Sequence, residues 1–548
     1  MIQKILKNNF LINSRPTESV ISAAFVITVA GILSNLLGLV RDRMLASTFG
    51  AGDTLDVYYA AFRIPDLIYN LLILGAMSAA FIPVFTGLRS RENDDEAWKL
   101  TNGIMNLAIF FIIVISLVCA IFAPILMKLI TPGFSSEKIE SVVLFTRIMF
   151  LSPIFLGISG IMGGVLTSMK HFLIYSIAPL LYNIGIIIGI SVFVKFFGPV
   201  GLAFGVVFGA AMHMLLQYFT VRKLGYQHRW TFRSDWNNKN VRKVFTLMLP
   251  RMAGIGINQI NLMVITIFAS TLAAGSLAVF SFSQNLASLP LSLFGISFSI
   301  AIFPTLATLA ARDKKEEFIK AFSETFRQIL FFVIPLSVFI IVLRAQIVRV
   351  VLGSGKFDWE DTILTFQCLG ILAFSLFAQS AVQLLARSFY ALQDTKTPFY
   401  IAIVVEAVNI LTVILLIGHW QILSLAIAFS LANIVQMFLL LFFLRTRFEN
   451  LDDKNIILSL TKIVTASFLA GLGIQGAKYL VALFVDLDTF LCVFTQLMIS
   501  LIVGGAIFIM ISHLLKLEEF FLFKNSLTKK IFKNKRVLLE STEEVSGI

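Results

Sequence analysis

The chain has 548 residues, 58% hydrophobic and only 14% charged, with a formal net charge of +13. A soluble globular chain is about 45–50% apolar and about 25% charged, so this composition, with a mean hydropathy of +0.90, excludes a soluble domain and marks a polytopic membrane protein. The three cysteines, Cys119, Cys368 and Cys492, lie in apolar runs, which argues against a disulfide framework, and the five histidines have no metal-ligand spacing.

Residues 1–20 are polar and basic with no small-residue cleavage site, so a cytoplasmic N-terminal segment is expected rather than a cleaved signal peptide. Fourteen apolar runs follow, each about 20 residues or longer, the length that crosses a bilayer as a helix. They cover 21–48, 55–88, 99–130, 139–168, 172–196, 200–221, 243–271, 276–310, 320–351, 361–391, 397–418, 421–444, 456–482 and 488–515. The expected fold is an all-α integral membrane protein with fourteen transmembrane helices.

Lysine and arginine concentrate in the segments on the N-terminal side of this arrangement, while the opposite connections hold only Lys138, Lys195 and Lys356. The positive-inside rule then places both termini in the cytoplasm. The same asymmetry accounts for the net charge without a nucleic-acid partner. The tail 516–548 is basic up to Arg536 and then acidic, and its basic part is expected on anionic lipids of the inner leaflet.

The chain repeats itself. ASTFGAGDTLDV at Ala46–Val57 is echoed by ASTLAAGSLAVF at Ala269–Phe280, and Pro83 in FIPVF by Pro304 in IFPTL. The repeat spans six helices, an even number, so both copies enter the membrane in the same sense. Two parallel six-helix lobes are expected at 21–224 and 243–447, joined by a cytoplasmic loop at 225–242, with helices thirteen and fourteen appended in 448–515. In such a plan a transport site lies between repeats near the midplane.

Charges inside apolar runs point to that site. The first run carries Arg41, Asp42 and Arg43; the second carries Asp56, Arg63, Asp66 and Asn70 on one helical face, with Tyr59 and Ser78 near it. An ionisable group at the centre of a membrane helix costs at least about 2.5–3.5 kcal/mol, so these groups form either an ion-pair stripe that fixes packing or a wall of a hydrated cavity. In the seventh run Pro250 is expected to loosen the helix, and Arg251, Asn258, Gln259 and Asn261 follow it. Arg251 either snorkels to the cytoplasm or joins the cavity. Gln284 and Asn285 in the eighth run are uncharged repeat counterparts of the Arg63 region; Arg147 and Arg387 are expected as further buried cations, the latter also able to snorkel. Glu406, near the middle of the eleventh run, either pairs with a neighbouring helix or couples to an ion or proton. A planar guanidinium grips phosphate oxygens bidentately, so a cavity of this kind suits a pyrophosphate-linked lipid. No phosphate-binding loop, hydrolase elbow or zinc motif is present, and no enzyme is expected.

The stretch GLVRDRMLASTFGAGDTLDVYYAAFRIPDL at Gly38–Leu67 resembles the MurJ/MviN family, the lipid II flippases of the multidrug/oligosaccharidyl-lipid/polysaccharide exporter superfamily. GAMSAAFIP at Gly75–Pro83, INQINLMVITIFASTLAAGS at Ile257–Ser276 and ARSFYALQDTKTP at Ala386–Pro398 extend the resemblance over roughly residues 20–515, and GSGKFDWEDT from Gly353 is a weaker match. The resemblance implies transfer of a polyprenyl-pyrophosphate-linked sugar-peptide, the peptidoglycan precursor, from the cytoplasmic to the outer leaflet. It implies alternating access around a cationic cavity, no bound cofactor, drive from the membrane potential or an ion gradient, and a monomer. Arg41, Asp42, Asp56 and Arg63 match positions that the family keeps charged. The chain departs where the family often has arginines: it has Asn35, Tyr69-Asn70 and Gln284-Asn285, with Leu74 in place of a glutamate, so a less cationic cavity is implied. Other readings are a flippase for another polyprenyl-linked oligosaccharide and a cation-coupled drug exporter using Glu406.

Overall fold

Each of the fourteen apolar runs is helical in the computed structural model, which describes residues 20–74, 80–91, 93–231, 238–484 and 489–525. The side chains of 20–25, 74, 249–251, 253–255, 257 and 258 also lie outside the description, and so does Ser78. Among the described residues there is no β-strand. Among the described residues, nine segments are long and apolar enough to cross a membrane, or ten with the bent pair Trp359–Phe374 and Leu376–Ala391. One of the nine, Phe172–Lys223, is 52 residues long and contains two predicted spans. It is a hairpin: Gly198 turns at φ +60°, and a Cβ on Gly185 would stand 2.2 Å from the Gly209 Cα, a contact only glycine permits.

The breaks have local causes. The second span is divided into Asp53–Ala61, Arg63–Tyr69, a π-helical Asn70–Leu74, and Ile82–Arg89. Pro65 has no N–H to give to the Ala61 carbonyl, so the first piece ends there and Pro65 sits in the first turn of the next. The third span, Asp94–Ile121, starts where the Asn93 side chain accepts from the Glu96 N–H, with Asp94, Asp95 and Glu96 on the positive end of the helix dipole. The seventh is helical from Lys239 to Ser270, with Pro250 inside it. The eighth runs Ser276–Pro290, widens to a π-helix over Leu291–Ile296, and resumes as Ser297–Ala311. The 45° bend of the tenth lies at Ser375, whose hydroxyl donates to the Leu372 carbonyl at 3.0 Å.

The chain divides into two compact units, 1–282 with 351–361, and 283–350 with 362–548. In the first, the helices of spans one to six pack around Leu45, Leu55, Phe81, Phe85 and Tyr226, all fully buried. In the second, Phe322, Leu343, Cys368 and Phe389 form part of the core. There the thirteenth helix, Asp453–Ala482, packs on the fourteenth, Phe490–Leu514, and the Lys478 ammonium donates to the Val342 carbonyl at 2.9 Å. After the last span a short helix over 518–525 folds back, with Arg327 holding Glu518 at 2.9 Å and Glu519 at 2.8 Å.

Candidate functional site

Arg41 stands near the end of the first helix, Val20–Phe49, and its guanidinium is fully engaged in a local network. Nε and Nη2 donate to Asp42 Oδ1 at 3.0 and 2.8 Å, and Nη1 donates to Asn183 Oδ1 at 3.0 Å. Asn183 comes from the fifth span, Phe172–Ile188, and its amide reaches back to the Ser34 carbonyl. Asp42 is 3% exposed, so this is a buried pair stitched to a neighbouring helix.

Arg63 and Asp66 lie one helical turn apart on Arg63–Tyr69 and are half-buried. Arg63 Nε donates to Thr266 Oγ1, from the seventh span, at 2.7 Å. Among the described residues its terminal nitrogens and the Asp66 carboxylate have no hydrogen-bond or ion-pair partner. Arg41, Asp42, Arg63 and Asp66 nevertheless belong to one electrostatic cluster, linked through Tyr58, Tyr59, Tyr69 and Tyr182. Four of the predicted residues thus come together, in a setting richer in tyrosine than in arginine. The second, third and seventh spans line a small apolar pocket of about 20 Å³ that includes Leu72, Ile73, Phe111, Phe245 and Met248.

Asp56 is placed elsewhere, at the end of the second span where the two sequence repeats meet. It is 1% exposed, takes the Lys138 ammonium at 2.9 Å, and accepts from the backbone N–H of Gly275 at 2.8 Å and of Ala278 at 3.1 Å. Gly275 and Ala278 open the helix Ser276–Pro290, so Asp56 satisfies its orphan donors and complements its dipole. Lys138 also bridges to Asp53 at 2.6 Å. Close by, the Ala51 N–H donates to Asp361 at 2.9 Å and the Lys356 N–H to the Ser47 carbonyl at 2.9 Å. This is a polar closure of one end of the unit.

The remaining predicted residues are dispersed. Arg147 is exposed and its Nε donates to the Ala120 carbonyl at 3.0 Å, filling an acceptor at the end of the third helix. Arg251 and Asn258 lie on the seventh helix, but their side chains are outside the described residues. Gln284 and Asn285 belong to the second unit, where the Asn285 carbonyl accepts from Ser288 at 2.7 Å. Glu406 is half-buried on the helix Lys396–Trp420, one turn from the buried Asn409. Arg387 donates to the Ile296 carbonyl at 3.2 Å in the π-helical part of the eighth span. Sequence reasoning did not single out Tyr58, Tyr182, Asn183 as a ligand of Arg41, Thr266, or Lys138 as the partner of Asp56. The repeat alignment carried the one usable signal, because it matches the Ala46–Val57 stretch that holds Asp56 to the Ala269–Phe280 stretch that holds Gly275 and Ala278.

A family model described as lipid II flippase MurJ matches residues 45–495. Curated relatives named probable lipid II flippase MurJ include one from Buchnera aphidicola subsp. Acyrthosiphon pisum, 29% identical over 76% of this chain and 81% of the relative. One from Bdellovibrio bacteriovorus is 29% identical over 85% and 90%, and one from Rickettsia prowazekii is 25% identical over 91% and 98%. Among solved structures, a lipid II flippase MurJ in an inward closed conformation superposes with a TM-score of 0.73 at 23% identity, over 89% of this chain and 99% of that one. An inward-facing multidrug resistance MATE family transporter reaches 0.64 at 14% identity, over 77% and 96%. These two likenesses establish the fold.

Proposed function

We propose, from the premise that the chain belongs to the family of lipid II flippase MurJ, that it moves lipid II from the cytoplasmic to the outer leaflet for peptidoglycan synthesis. Transport proceeds by alternating access, the two six-helix lobes exposing one cavity to each side in turn. The observation that carries this reading is the half-buried Arg63, held by Thr266 through Nε alone, which leaves the outer fork of its guanidinium for an anionic group of the lipid-linked substrate. Arg41 supports the site by positioning, since Asp42 and Asn183 already occupy it. Arg251 is a candidate second cation. Release to the outer leaflet requires the Asp56–Lys138 closure to open.

Resetting of the empty cavity is driven by the membrane potential or an ion gradient, with Glu406 as the candidate coupling group. The chain works as a monomer in the bacterial cytoplasmic membrane with both termini inside and its basic tail on anionic lipid. Reporter fusions at the C-terminus that are active only in the cytoplasm check the orientation; periplasmic activity refutes it.

The test of function is a leaflet-resolved assay in proteoliposomes containing lipid II or another polyprenyl-pyrophosphate oligosaccharide. Lipid II is expected to move, and movement of the second lipid alone would replace the substrate assignment. Arg63→Ala should lower transport about 10- to 100-fold, the equivalent of one charged hydrogen-bond partner worth about 1.5–3 kcal/mol. Full activity of that variant would remove Arg63 from the site.

A further inference from the structure

Resting on the reading above, we propose that Arg63 and Asp66 together form a subsite for a zwitterionic amino-acid group, so that the preferred lipid-linked substrate carries a free primary amine on its peptide. The two side chains project from one face of Arg63–Tyr69, a helical turn apart, where side-chain origins stand about 5–6 Å from each other. They do not pair: no contact within 4.0 Å joins them, and neither the Asp66 carboxylate nor the Arg63 terminal nitrogens find another partner among the described residues. Both are half-buried rather than sealed in the core. An opposed carboxylate and guanidinium left unpaired at membrane depth are costly, and a ligand that brings its own ammonium and carboxylate satisfies both at once.

The surroundings select the ammonium. Tyr58, Tyr69 and Tyr182 lie within electrostatic reach of Asp66, and as neutral phenols they bring no competing cation to its carboxylate. A hard metal ion would need several oxygen ligands, and no group of three acidic, histidine or cysteine side chains suited to a metal occurs among the described residues. Among the described residues the charged group that acts on Asp66 is Arg63 on its own helix; Arg41 and Asp42 of the first helix pair with each other. Arg41 is occupied by Asp42 and Asn183, so it adds little net field. A carboxylate at this position also opposes a purely anionic ligand, which is why the ligand must supply a cation.

The full-length protein in nanodiscs, titrated with lipid II bearing a free peptide amine and with the same lipid N-acetylated, tests this. The wild type is expected to bind the amine form at least tenfold more tightly. Asp66→Asn should erase the difference by weakening only the amine form, while Asp66→Glu retains the preference and shows that the position tolerates substitution. Equal affinity of the wild type for both lipids overturns the subsite and leaves the flippase reading standing. Affinity that follows pH but ignores acetylation also overturns it, making Asp66 a proton site. Binding of neither lipid overturns the flippase reading and the subsite with it.

Discussion

Asp56 answers for three donors at once: the Lys138 ammonium and the Gly275 and Ala278 N–H groups. Replacing it by alanine leaves a Lys138 side chain that is only 12% exposed without its buried partner, along with two orphaned helix donors. Removing one member of a buried pair costs about 3–5 kcal/mol, so Asp56→Ala should melt markedly earlier than wild type in a detergent thermal-shift assay. An unchanged midpoint would mean water replaces the carboxylate without loss. In the second unit, Asp394 accepts from the backbone N–H of Lys396 and Thr397 at 3.0 Å and from the Thr397 hydroxyl, and meets Arg447. Partial desolvation pulls the Asp394 carboxyl upward, but the Thr397 contacts, Arg447 and the Lys396 N–H outweigh it and hold the group below the usual carboxylate range. A depressed value means stability that is complete above the unfolded-state value of about 3.9 and lost as pH falls through the folded one. The melting advantage of wild type over Asp394→Asn should therefore be constant near neutrality and vanish in strong acid.

Glycine decides one joint between elements. Gly275 has φ +87°, and a Cβ there would stand 1.7 Å from the Ala51 carbonyl oxygen, so the turn that brings the second repeat onto Asp56 admits no side chain. Gly275→Ala should destabilise by more than the roughly 1 kcal/mol of a simple left-handed strain, with the loss read as increased proteolysis at the Thr271–Ser276 turn. Resistance equal to wild type would show that the turn can shift. The helical runs themselves were legible, because about 20 consecutive apolar residues admit only one economical backbone in a bilayer. The π-helical segments Asn70–Leu74, Gly189–Phe193 and Leu291–Ile296 were not, since a one-residue widening leaves no mark on hydropathy. Equally, the face shared by Asp56, Arg63 and Asp66 was visible as periodicity. That face is interrupted at Phe62, and Asp56 and Arg63 take different partners, Lys138 with the Gly275 turn for one and Thr266 for the other. Partners distant in sequence, such as Asn183 for Arg41 and Thr266 for Arg63, depend on packing that no local pattern encodes.

At the scale of the whole chain, the sequence repeat and the compact units do not coincide. The seventh span, the start of the eighth and residues 351–361 belong to the first unit by contact, although the repeat assigns them to the second half. Alternating access then requires the Ala51–Gly275 contact to break and reform in each cycle. Joining Ala51→Cys to Ser276→Cys with a short cleavable linker should stop lipid II transport and cleavage should restore it. Continued transport by the linked protein would relocate the moving boundary.

The Asp56 arrangement also sets the kinetics of that cycle. Because one carboxylate holds a lysine and two consecutive-turn amides, the three bonds are not independent, and losing the first leaves the others aimed at a rotating acceptor. Partial release is therefore poorly populated, and the outer end should switch as a two-state element with single-exponential dwell times. A carrier of large amphiphiles gains from such switching, because a half-open end would let ions through without cargo.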